Sequence, residues 1–575
     1  MIRLSELKLP LDHDPADLDH LVRKTLAVPA SDVVRVVLFK RSIDARKVNL
    51  LRVYVVDVLL SSEALEQSVL QRLAGVPHIG PSPDMAYHLP CQVTDPAHAP
   101  VAERPVVVGF GPCGIFAALL LAQMGLRPIV LERGKNVRQR TADTWGLWRK
   151  GVLNPESNVQ FGEGGAGTFS DGKLWSQIKD PRHLGRKVMA EFVRAGAPQE
   201  ILVEAHPHIG TFKLVKVVEN MRAQIIALGG EIRFEQRVTD LALEPGGPDD
   251  QARPRRLRAL TVLDVAAGTS YELATRHAVL ALGHSARDTF AMLYRHAVTM
   301  EAKPFSIGFR IEHPQGLIDQ ARWGRHAGHP LLGAAEYKLV HHAANGRSVY
   351  SFCMCPGGTV VAATSEPGRV VTNGMSQYSR NERNANAGIV VGIDPRDYPV
   401  DAAALRESMG PGLDRVVADG VAHPLAGIVF QRQLESTAYV LGGSSYAAPG
   451  QLVGDFLAGQ PSTRWGSVTP SYTPAVHLGD LSGALPAFAI EAIREALPVF
   501  GRKIKGFDRA DAVLTGVETR TSCPLRLTRG DDFQSLNVQG LYPAGEGAGY
   551  AGGILSAGVD GIRVAEALGR SLLGA

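Results

Sequence analysis

The sequence predicts an α/β fold whose centre is a Rossmann-like nucleotide-binding domain with a β-meander. Three observations lead to this prediction. Residues 104–134 read as a buried strand, a glycine turn, an apolar helix and a second strand that ends in an acid. Residues 231–283 read as a strand (231–238), a meander with a polar tip at 245–256 and a further strand that ends at Gly283, and the C-terminal residues return to a strand, a glycine turn and a helix. With 575 residues, 45% of them hydrophobic and 21% charged, the chain is long enough for about two to four domains.

Composition changes along the chain predict a succession of segments. Prolines cluster after residue 76, which is typical of a linker, and many short β-runs and loops follow residue 303. The predicted segments are a small N-terminal α/β domain of ferredoxin-like type (1–76), a proline-rich linker (77–103), the first part of the nucleotide-binding domain (104–303), an inserted α+β substrate or cap domain (304–499) and the second part of the nucleotide-binding domain (500–575).

The first 76 residues combine helix and strand signals. Asp14 can cap a helix that has Pro15 at its first position, and two β-rich runs follow at 33–39 and 50–60. The basic segment KRSIDARK (40–47) lies between these runs and is predicted to form a hairpin tip. Such a tip is either simply solvated or a docking surface for an acidic partner or RNA.

The glycine turn after the first buried strand has the spacing G-x-G-x-x-G. Gly109 permits the tight turn, Gly111 allows the backbone to approach a pyrophosphate, and Gly114 lets helix and strand pack closely. The phosphates would then lie on free N–H groups at the positive end of the helix dipole. Glu132 follows at the distance expected for a carboxylate that binds an adenosine ribose, and an acid there disfavours a 2′-phosphate, although Arg133 stands next to it.

A second glycine cluster, FGEGGAGTFSDGKL (161–174), repeats the same spacing. No clean strand precedes it and no apolar helix follows it, so it is not a second Rossmann turn. We interpret it as an extended loop whose amides, with the hydroxyls of Thr168 and Ser170, line a cofactor. The alternative is a mobile surface loop.

A third cluster, LYPAGEGAGYAGGILSAGVDGIRVAEALG (541–569), favours a flavin over a nicotinamide cofactor. The pair Gly552-Gly553 opens a helix, and Glu546 stands inside the preceding turn. In a flavoprotein such an acid would hold a ribityl hydroxyl, and the helix N-terminus would stabilise the negative charge of reduced flavin. A nicotinamide enzyme needs neither feature. Helix packing by small residues is the alternative, but it does not explain Glu546.

Several sequence motifs resemble those of a known protein family. They are FGEGGAGTFSDGKL, HPHIGT (206–211), LGHSARDTF (282–290), KPFSIGFRIEHPQ (303–315), FCMCPGG (352–358), NGMS (373–376) and YPAGEGAGYAGGILSAGVDG (542–561). Together they resemble one branch of the glutathione-reductase-type FAD superfamily, the bacterial FAD-dependent dehydrogenases. The resemblance implies non-covalent FAD, bound between the N- and C-terminal parts of one discontinuous domain, and it implies no particular substrate.

The resemblance transfers roles to individual positions. Gly109, Gly111, Gly114, Gly283 and Glu546 would contact FAD together with Glu132, and Val238 would hold the adenine by backbone contacts. The predicted cofactor-binding residues are Gly109, Phe110, Gly111, Pro112, Cys113, Gly114, Glu132, Arg133, Gly164, Gly165, Ala166, Gly167, Thr168, Ser170, Lys173, Val238, Gly283, His284, Gly545, Glu546, Gly552, Gly553 and Ile554.

Catalytic candidates are polar residues near strand or helix ends. His208, His284, Arg310 and His313 could supply a proton or bind negative charge as flavin delivers hydride, because histidine titrates near neutral pH. The alternative for each histidine is a buried hydrogen-bonding role. Arg310, Arg520 and Arg526 could also bind a substrate carboxylate or form ion pairs instead.

Cysteine spacing argues against metal and redox sites. Cys353 and Cys355 lack the C-x-x-C spacing of a redox pair, and no second pair completes a zinc site, so we predict no bound metal. The five cysteines fit a reducing compartment. No apolar run is long enough for a bilayer and the first residues lack a signal-peptide core, so we expect a cytoplasmic protein without a membrane span.

The sequence therefore predicts an FAD-dependent oxidoreductase that transfers hydride between flavin and a small organic substrate. NAD(P)H as a transient donor, an electron-donor protein or a quinone remain open as redox partners, and the oligomeric state is open too. The alternatives are FAD in a structural or sensing role with RNA or protein docking, or flavin-dependent RNA modification. A net charge of only +4 argues against a nucleic-acid partner.

Overall fold

The computed structural model describes residues 1–46, 48–93, 104–246, 253–398, 402–411, 413 and 421–574, and these form a mixed α/β structure. The helices are α1 (Pro15–Leu26), α2 (Glu63–Arg72), α3 (Pro112–Gln123), α4 (Val137–Lys150), α5 (Leu184–Arg194), α6 (Thr211–Ala227), α7 (Arg287–Arg295), α8 (Gln315–Trp323), α9 (Ala402–Met409), α10 (Ala426–Leu441), α11 (Val453–Ala458), α12 (Ala487–Lys503) and α13 (Ile554–Leu573).

The strands are β1 (Ile2–Pro10), β2 (Val33–Asp44), β3 (Leu51–Leu60), β4 (Ile79–Pro81), β5 (Val106–Val108), β6 (Ile129–Glu132), β7 (Glu231–Phe234), β8 (Gln236–Pro245), β9 (Arg255–Asp264), β10 (Thr269–Ala274), β11 (Ala278–Leu280), β12 (Met300–Ala302), β13 (Phe305–Pro314), β14 (Val340–His342), β15 (Ser348–Ala362), β16 (Thr372–Ser376), β17 (Asn384–Ile393), β18 (Ala448–Leu452), β19 (Val476–Leu478), β20 (Val513–Glu518), β21 (Leu525–Leu527), β22 (Val538–Gln539) and β23 (Leu541–Pro543).

The N-terminal strands form an antiparallel sheet in the order β2-β3-β1-β4. With α1 and α2 this is the split βαβ arrangement of ferredoxin-like units. Asp14 caps α1 by accepting a hydrogen bond from the amide of Ala16, with Pro15 at the first helical position. The predicted linker began at residue 77, but β4 lies within it and completes this sheet. Residues 94–103 of that linker lie outside the described residues.

The basic segment 40–47 differs from the predicted hairpin tip. Strand β2 continues to Asp44, so Lys40 and Arg41 lie inside a strand, while Lys47 is outside the described residues. The amide of Arg41 donates to the carbonyl of Val203, and the amide of Ala205 donates to the carbonyl of Arg41. This edge of the N-terminal sheet is therefore covered by the main body of the chain.

The predicted nucleotide-binding domain is built on a parallel sheet in the order β23-β11-β5-β6-β7. Strand β5 consists of three fully buried valines, and α3 is buried along almost its whole length because α13 packs against it from the other side. The chain leaves β5 toward β6 on one side, whereas β11 lies on the other side. This change of direction is the topological switch point where open α/β sheets bind ligands.

The meander contains β8, β9 and β10, with β22 parallel to β9. The sequence predicted one strand at 231–238, but the chain breaks at Glu235, which has a φ of 57°. Strand β7 therefore completes the parallel sheet and β8 begins the meander. Part of the predicted tip at 245–256, residues 247–252, lies outside the described residues.

The insert is organised around a large, mainly antiparallel sheet in the order β14-β15-β17-β13-β20-β18-β19, with β16 paired to β15. Helices α10 and α12 pack on it over a core that includes Phe309, Ile389 and Phe500. Strand β20 pairs with β13 and β18, so the insert extends beyond residue 499, where the sequence placed its end. A short and fully buried strand does not by itself indicate which sheet it joins.

Candidate functional site

A cavity of about 390 Å³ opens at the switch point of the parallel sheet. Its walls come from the ends of β5, β6 and β11, the start of α3, the glycine-rich loop at 160–173, the start of α13 and the insert strands β15, β16 and β20. The cavity thus lies between the nucleotide-binding domain and the insert. Its volume is in the range of small-molecule and cofactor sites.

The glycines of the first turn have different structural roles. Gly109 has a φ of 98°, and an added Cβ would lie 2.4 Å from the carbonyl oxygen of Ala281. At Gly114 an added Cβ would lie 2.0 Å from the carbonyl oxygen of Gly109, so this position is set by helix–strand packing. Gly111 has a φ of −78° and lines the cavity, where an added Cβ meets its nearest neighbour at 3.6 Å. It also begins α3 without a side-chain cap among the described residues.

Glu132 is buried at the edge of the cavity. Its Oε1 accepts hydrogen bonds from the amides of Gly134 and Gly162 at 2.8 and 2.9 Å, and its Oε2 accepts one from the amide of Phe110 at 2.8 Å. An oxygen that accepts one hydrogen bond has a lone pair left for a ligand hydroxyl. Arg133 stacks on Phe161 and forms ion pairs. Glu132 therefore holds the glycine-rich loop against the first turn.

Arg140 is the central support of that loop, and sequence reasoning missed it. Its guanidinium is fully buried and donates to the carbonyl oxygens of Asn158, Val159 and Glu163 at 2.6–2.7 Å, with a longer bond to that of Gly162. Burial lowers the pKa of Arg140 to about 10, which leaves it charged at neutral pH. Arg140 stands in a polar helix, where the sequence pattern indicates solvent exposure.

The start of α13 forms another wall of the cavity. Gly553 precedes the helix without a side-chain cap among the described residues, and an added Cβ at Gly552 or Gly553 finds no described atom within 4 Å. Glu546 also lines the cavity, where burial raises its pKa to about 7, although Lys303 opposes the shift. The site therefore combines free helix amides with a carboxyl group that titrates near neutral pH.

Most of the predicted cofactor residues come together around the cavity. Those that line it are Gly109, Phe110, Gly111, Pro112, Cys113, Glu132, Arg133, Gly165, Ala166, Gly167, Ser170, Lys173, Val238, Gly283, His284, Glu546, Gly552, Gly553 and Ile554. The predicted residues outside the lining are Gly114, Gly164, Thr168 and Gly545. These four pack against the chain itself: added Cβ atoms at the three glycines would lie 2.0, 2.1 and 2.8 Å from protein atoms, and Thr168 is buried.

Of the catalytic candidates, His284 lines the cavity. Its Nδ1 contacts the hydroxyl of Ser285 at 3.0 Å, and that hydroxyl accepts a hydrogen bond from Arg520 at 3.0 Å. Burial, followed by the charges of Arg520 and Arg287, lowers the pKa of His284 to about 3. His284 is therefore neutral at physiological pH and can donate or accept a hydrogen bond, but it does not carry a proton charge.

The other candidates do not line the cavity. His208 contacts the carbonyl of Tyr378 at 3.0 Å, and His313 is fully buried with its Nε2 at 2.6 Å from the carbonyl of Phe507. Arg310 lies behind the cavity wall, where its Nε donates to Glu518 at 2.7 Å. The structure gives these residues hydrogen-bonding and packing contacts instead of access to a ligand.

The insert contributes a wall that the sequence did not predict. Phe352, Cys353, Asn373, Glu518 and Arg520 line the cavity from three strands and a following loop. The phrases FCMCPGG and NGMS marked two of these segments by family resemblance, but nothing in the local pattern places them beside the glycine turns. Strand pairing between residues far apart in the chain creates this wall.

Among the described residues there is no group of three or more histidine, cysteine, aspartate or glutamate side chains that could hold a metal ion. In that same part of the chain, no helix has both the length and the apolar character needed to cross a bilayer.

Comparison with known proteins identifies a domain family and a relative that this chain matches. The family described as FAD-dependent protein, C-terminal domain-like matches residues 304–521, and a domain of unknown function matches residues 1–59. The chain is 45% identical over 569 residues to a protein of Clostridium beijerinckii described as an uncharacterized protein, and the match covers 98% of both chains. The match to an FAD-dependent domain supports FAD as the cofactor and a flavoenzyme in broad terms.

Solved structures give more distant similarities. A glycerol-3-phosphate dehydrogenase from Bacillus halodurans complexed with FAD is 13% identical with a TM-score of 0.26, and the match covers 56% of each chain. The E. coli quinol fumarate reductase FrdA is 12% identical with a TM-score of 0.33, and the match covers 82% of this chain and 70% of that one. The insert matches the model of the FAD-dependent protein C-terminal domain family, and the chain belongs to the same family as the Clostridium beijerinckii protein.

Proposed function

We propose that the protein is an FAD-dependent oxidoreductase that transfers two electrons between flavin and a small organic substrate. One observation carries the proposal: α3 and α13, which are far apart in the chain, both begin at the same cavity without side-chain caps among the described residues. Free helix amides favour negative charge. FAD has a pyrophosphate and a flavin ring that becomes anionic on reduction. One of these negatively charged groups could therefore lie at the start of each helix.

The donor set and the shape of the cavity fit FAD. Added Cβ atoms at Gly283, Gly552 and Gly553 project into space free of described atoms, so a ligand can approach the backbone closely there. The start of α3 at Gly111 would bind the pyrophosphate, and the free lone pair on Glu132 would accept from the ribose. Val238, on the meander side, would lie against the adenine.

Bound FAD supplies an acceptor and donor for hydride. The chain's own residues would set the conditions for that step. The start of α13 would stabilise negative charge at the pyrimidine side of the ring, and Glu546 would hold a ribityl hydroxyl. His284 and Ser285 would orient a polar group of the substrate as neutral hydrogen-bonding partners. Arg520 would contribute positive charge at the cavity wall while Glu435 fixes its position.

The redox partner is a separate part of the proposal. NAD(P)H would bind transiently in the cavity between the insert and the flavin, or an electron-donor protein or a quinone would deliver the electrons. The parallel sheet shows one glycine turn of the dinucleotide type, at residues 109–114, among the described residues.

The test begins with the absorbance spectrum of the purified full chain after incubation with FAD and removal of free FAD. We expect about one flavin per chain, which NADH, NADPH or a chemical reductant bleaches anaerobically. Bleaching by one of the two nicotinamides identifies the donor. A chain that retains no flavin after reconstitution would overturn the proposal.

A further inference from the structure

Cys353 and Cys355 lie on β15 at the point where this strand passes the cavity. We propose that they form a redox-active dithiol, which closes reversibly to a disulfide and exchanges two electrons with the flavin. The inference rests on the proposed function, because the flavin is the electron partner. It gives the insert a redox centre of its own beside the cofactor.

The backbone of β15 is irregular at these two cysteines. In a regular strand, residues two apart are separated by about 6.6 Å, whereas the Cβ atoms of a disulfide lie about 3.8 Å apart. The pairing of β15 with β17 shifts register between Phe352 and Cys355 and again between Cys355 and Gly358. Cys353 has a φ of 42°, which is uncommon for a residue with a side chain. Such bulges occur next to active sites, where they redirect side chains.

The bulge brings the two cysteines into direct contact. The Sγ of Cys355 donates to the carbonyl oxygen of Cys353 at 3.4 Å. A shortened separation of this kind is what a bond between residues two positions apart requires. The contact places the Cys355 thiol against the backbone of Cys353, so the bulge folds these two residues toward each other although their C-x-C spacing in the sequence argued against a redox pair.

Two cations hold the bulge in place. Arg310 donates from Nη1 to the carbonyl oxygen of Cys353 at 2.8 Å, and Lys173 donates from Nζ to the carbonyl oxygen of Met354. Fixing two successive carbonyl groups keeps the segment in its irregular conformation. Lys173 belongs to the glycine-rich loop that lines the cavity, so the cofactor loop and the cysteine segment are directly joined.

The same surroundings give the two thiols different chemistry. The neighbouring Cys355 side chain lowers the pKa of the Cys353 thiol, and the charges of Arg310 and Lys173 lower it further, against burial and Asp171. The neighbouring Cys353 side chain, together with burial, raises the pKa of Cys355. These opposite directions favour the thiolate at Cys353 and the thiol at Cys355, the two forms needed for disulfide chemistry.

Access to the cavity is also unequal. Cys353 is partly exposed and lines the cavity, whereas Cys355 is fully buried behind it. The outer sulfur can meet a reacting group while the inner one closes the bond. Cys113, which also lines the cavity, differs because burial raises its pKa well above the usual value, so it remains an unreactive thiol.

The electron balance closes with the flavin as partner. The Cys353 thiolate and the Cys355 thiol lose two electrons and one proton, and an S–S bond forms between the two sulfurs. Oxidised FAD takes up both electrons and the proton and becomes its reduced anion. In the reverse direction the S–S bond accepts two electrons and one proton and breaks.

The test measures the thiols directly. The full chain, loaded with FAD and shown by its spectrum to retain it, is equilibrated anaerobically with mixtures of reduced and oxidised dithiothreitol. It is then quenched in acid, unfolded and treated with N-ethylmaleimide. Trypsin releases residues 348–369 as one peptide that contains both cysteines. We expect this peptide to change from two alkyl groups to none, with the loss of two hydrogen atoms, as the mixture becomes more oxidising.

Variants connect the thiols to the flavin. In Cys353→Ser and Cys355→Ala, the rate at which dithiothreitol bleaches the flavin should fall at least about tenfold, because the exchange relay is broken. Cys91→Ser is the matched control, since Cys91 is also partly exposed but lies against Met124, away from the cavity. It should bleach at the parent rate.

Two results would overturn the inference. One is a peptide that carries two alkyl groups in every mixture although the flavin is bound. The other is bleaching of both cysteine variants at the parent rate. The bound-flavin spectrum is recorded first, so the absence of flavin, which removes the proposed function as well, is distinguished from bound flavin without thiol oxidation.

Discussion

Arg287 and Glu435 form a fully buried ion pair that joins the nucleotide-binding domain to the insert. Arg287, at the start of α7, donates from Nη2 to Oε1 of Glu435 at 2.7 Å and from Nη1 to Oε2 at 2.9 Å. Glu435 lies on α10 and also accepts from Arg520 of the cavity wall. The carboxylate therefore fixes the arginine that faces the site and, at the same time, the position of the insert.

Replacing Glu435 with glutamine should destabilise the protein by about 3–5 kcal/mol, because buried Arg520 loses the carboxylate with which it pairs and buried Arg287 keeps only its pair with Glu366. Burial alone would raise the pKa of Glu435, but Arg287 and Arg520 lower it to about 2. The stabilisation is therefore fully present above about pH 4.5 and is lost as the pH falls toward 2. Urea unfolding at pH 7 and at pH 2.5 measures both effects.

Glu272→Gln is the matched control for that variant. Glu272 also forms a two-bond pair with an arginine, Arg258, but both side chains are about half exposed. Pairs of this kind contribute less than about 1 kcal/mol. If both variants lose the same stability, the buried pair does not hold the domains together as described.

Features formed by residues that are adjacent in the chain could be predicted from the sequence, whereas features formed between residues far apart in the chain could not. The first glycine turn could be identified because its strand, turn and helix are adjacent in the chain, and the structure places Gly109, Gly111 and Glu132 together. The break at Glu235 was missed because the apolar residues Ile232, Phe234 and Val238 keep an even spacing across it in the sequence. Arg140 was missed because its carbonyl partners lie 18 to 23 residues further along the chain.

The cavity wall of the insert was beyond sequence reasoning for a related reason. Phe352, Asn373 and Glu518 meet because β16 pairs with β15 and β20 pairs with β13. Antiparallel pairing over such separations depends on the packing of the whole sheet, and no local pattern specifies it. The same limit explains the misplaced end of the insert at residue 499.

The pH dependence of stability should report the ionisation of Glu546. Burial raises its pKa from 4.5 to about 7, so its contribution to stability is present below about pH 4.5 and is lost as the pH rises through 7. In the flavin-free chain, Glu546→Gln should match the parent at pH 4.5 and be more stable by about 3 kcal/mol at pH 8.5. Thermal unfolding between these pH values measures the difference.

A control for Glu546 is available on a neighbouring strand. Glu301 is about half exposed and pairs with Arg526, so Glu301→Gln removes a carboxylate without changing a buried group. It should show no gain in stability with rising pH. A parent chain whose unfolding temperature does not fall relative to that of Glu546→Gln between pH 5 and 8 would contradict the assignment.

Two glycines of the first turn should respond differently to substitution. Gly111→Val adds a side chain to the cavity lining, beside Gly165 and at an ordinary backbone conformation, so the fold should persist while FAD affinity falls at least about 100-fold, or about 2.7 kcal/mol. Gly114→Ala places its Cβ against the carbonyl oxygen of Gly109 and should cost about 1–3 kcal/mol of stability. FAD titration and urea unfolding of both variants separate the effects. Full flavin retention by a folded Gly111→Val chain would refute the phosphate site.

Arg140 offers the sharpest test of how the glycine-rich loop is held. Arg140→Met keeps the length and apolar part of the side chain but leaves several buried carbonyl groups without a donor, which should cost about 3 kcal/mol or more. The loop also carries Gly162, whose Cα packs against the Arg140 side chain and whose amide donates to Glu132. Loss of the arginine should therefore weaken FAD binding together with stability.

Arg138→Met is the natural comparison, because Arg138 stands on the same helix but is 67% exposed and pairs with Glu219 at the surface. Its replacement should leave both the unfolding midpoint and FAD affinity close to those of the parent. Urea unfolding with and without FAD measures the two variants side by side. An Arg140→Met chain that binds FAD as tightly as Arg138→Met would show that the loop reaches its cofactor-binding conformation without the buried guanidinium, and the support would then have to come from Glu132 and the backbone alone.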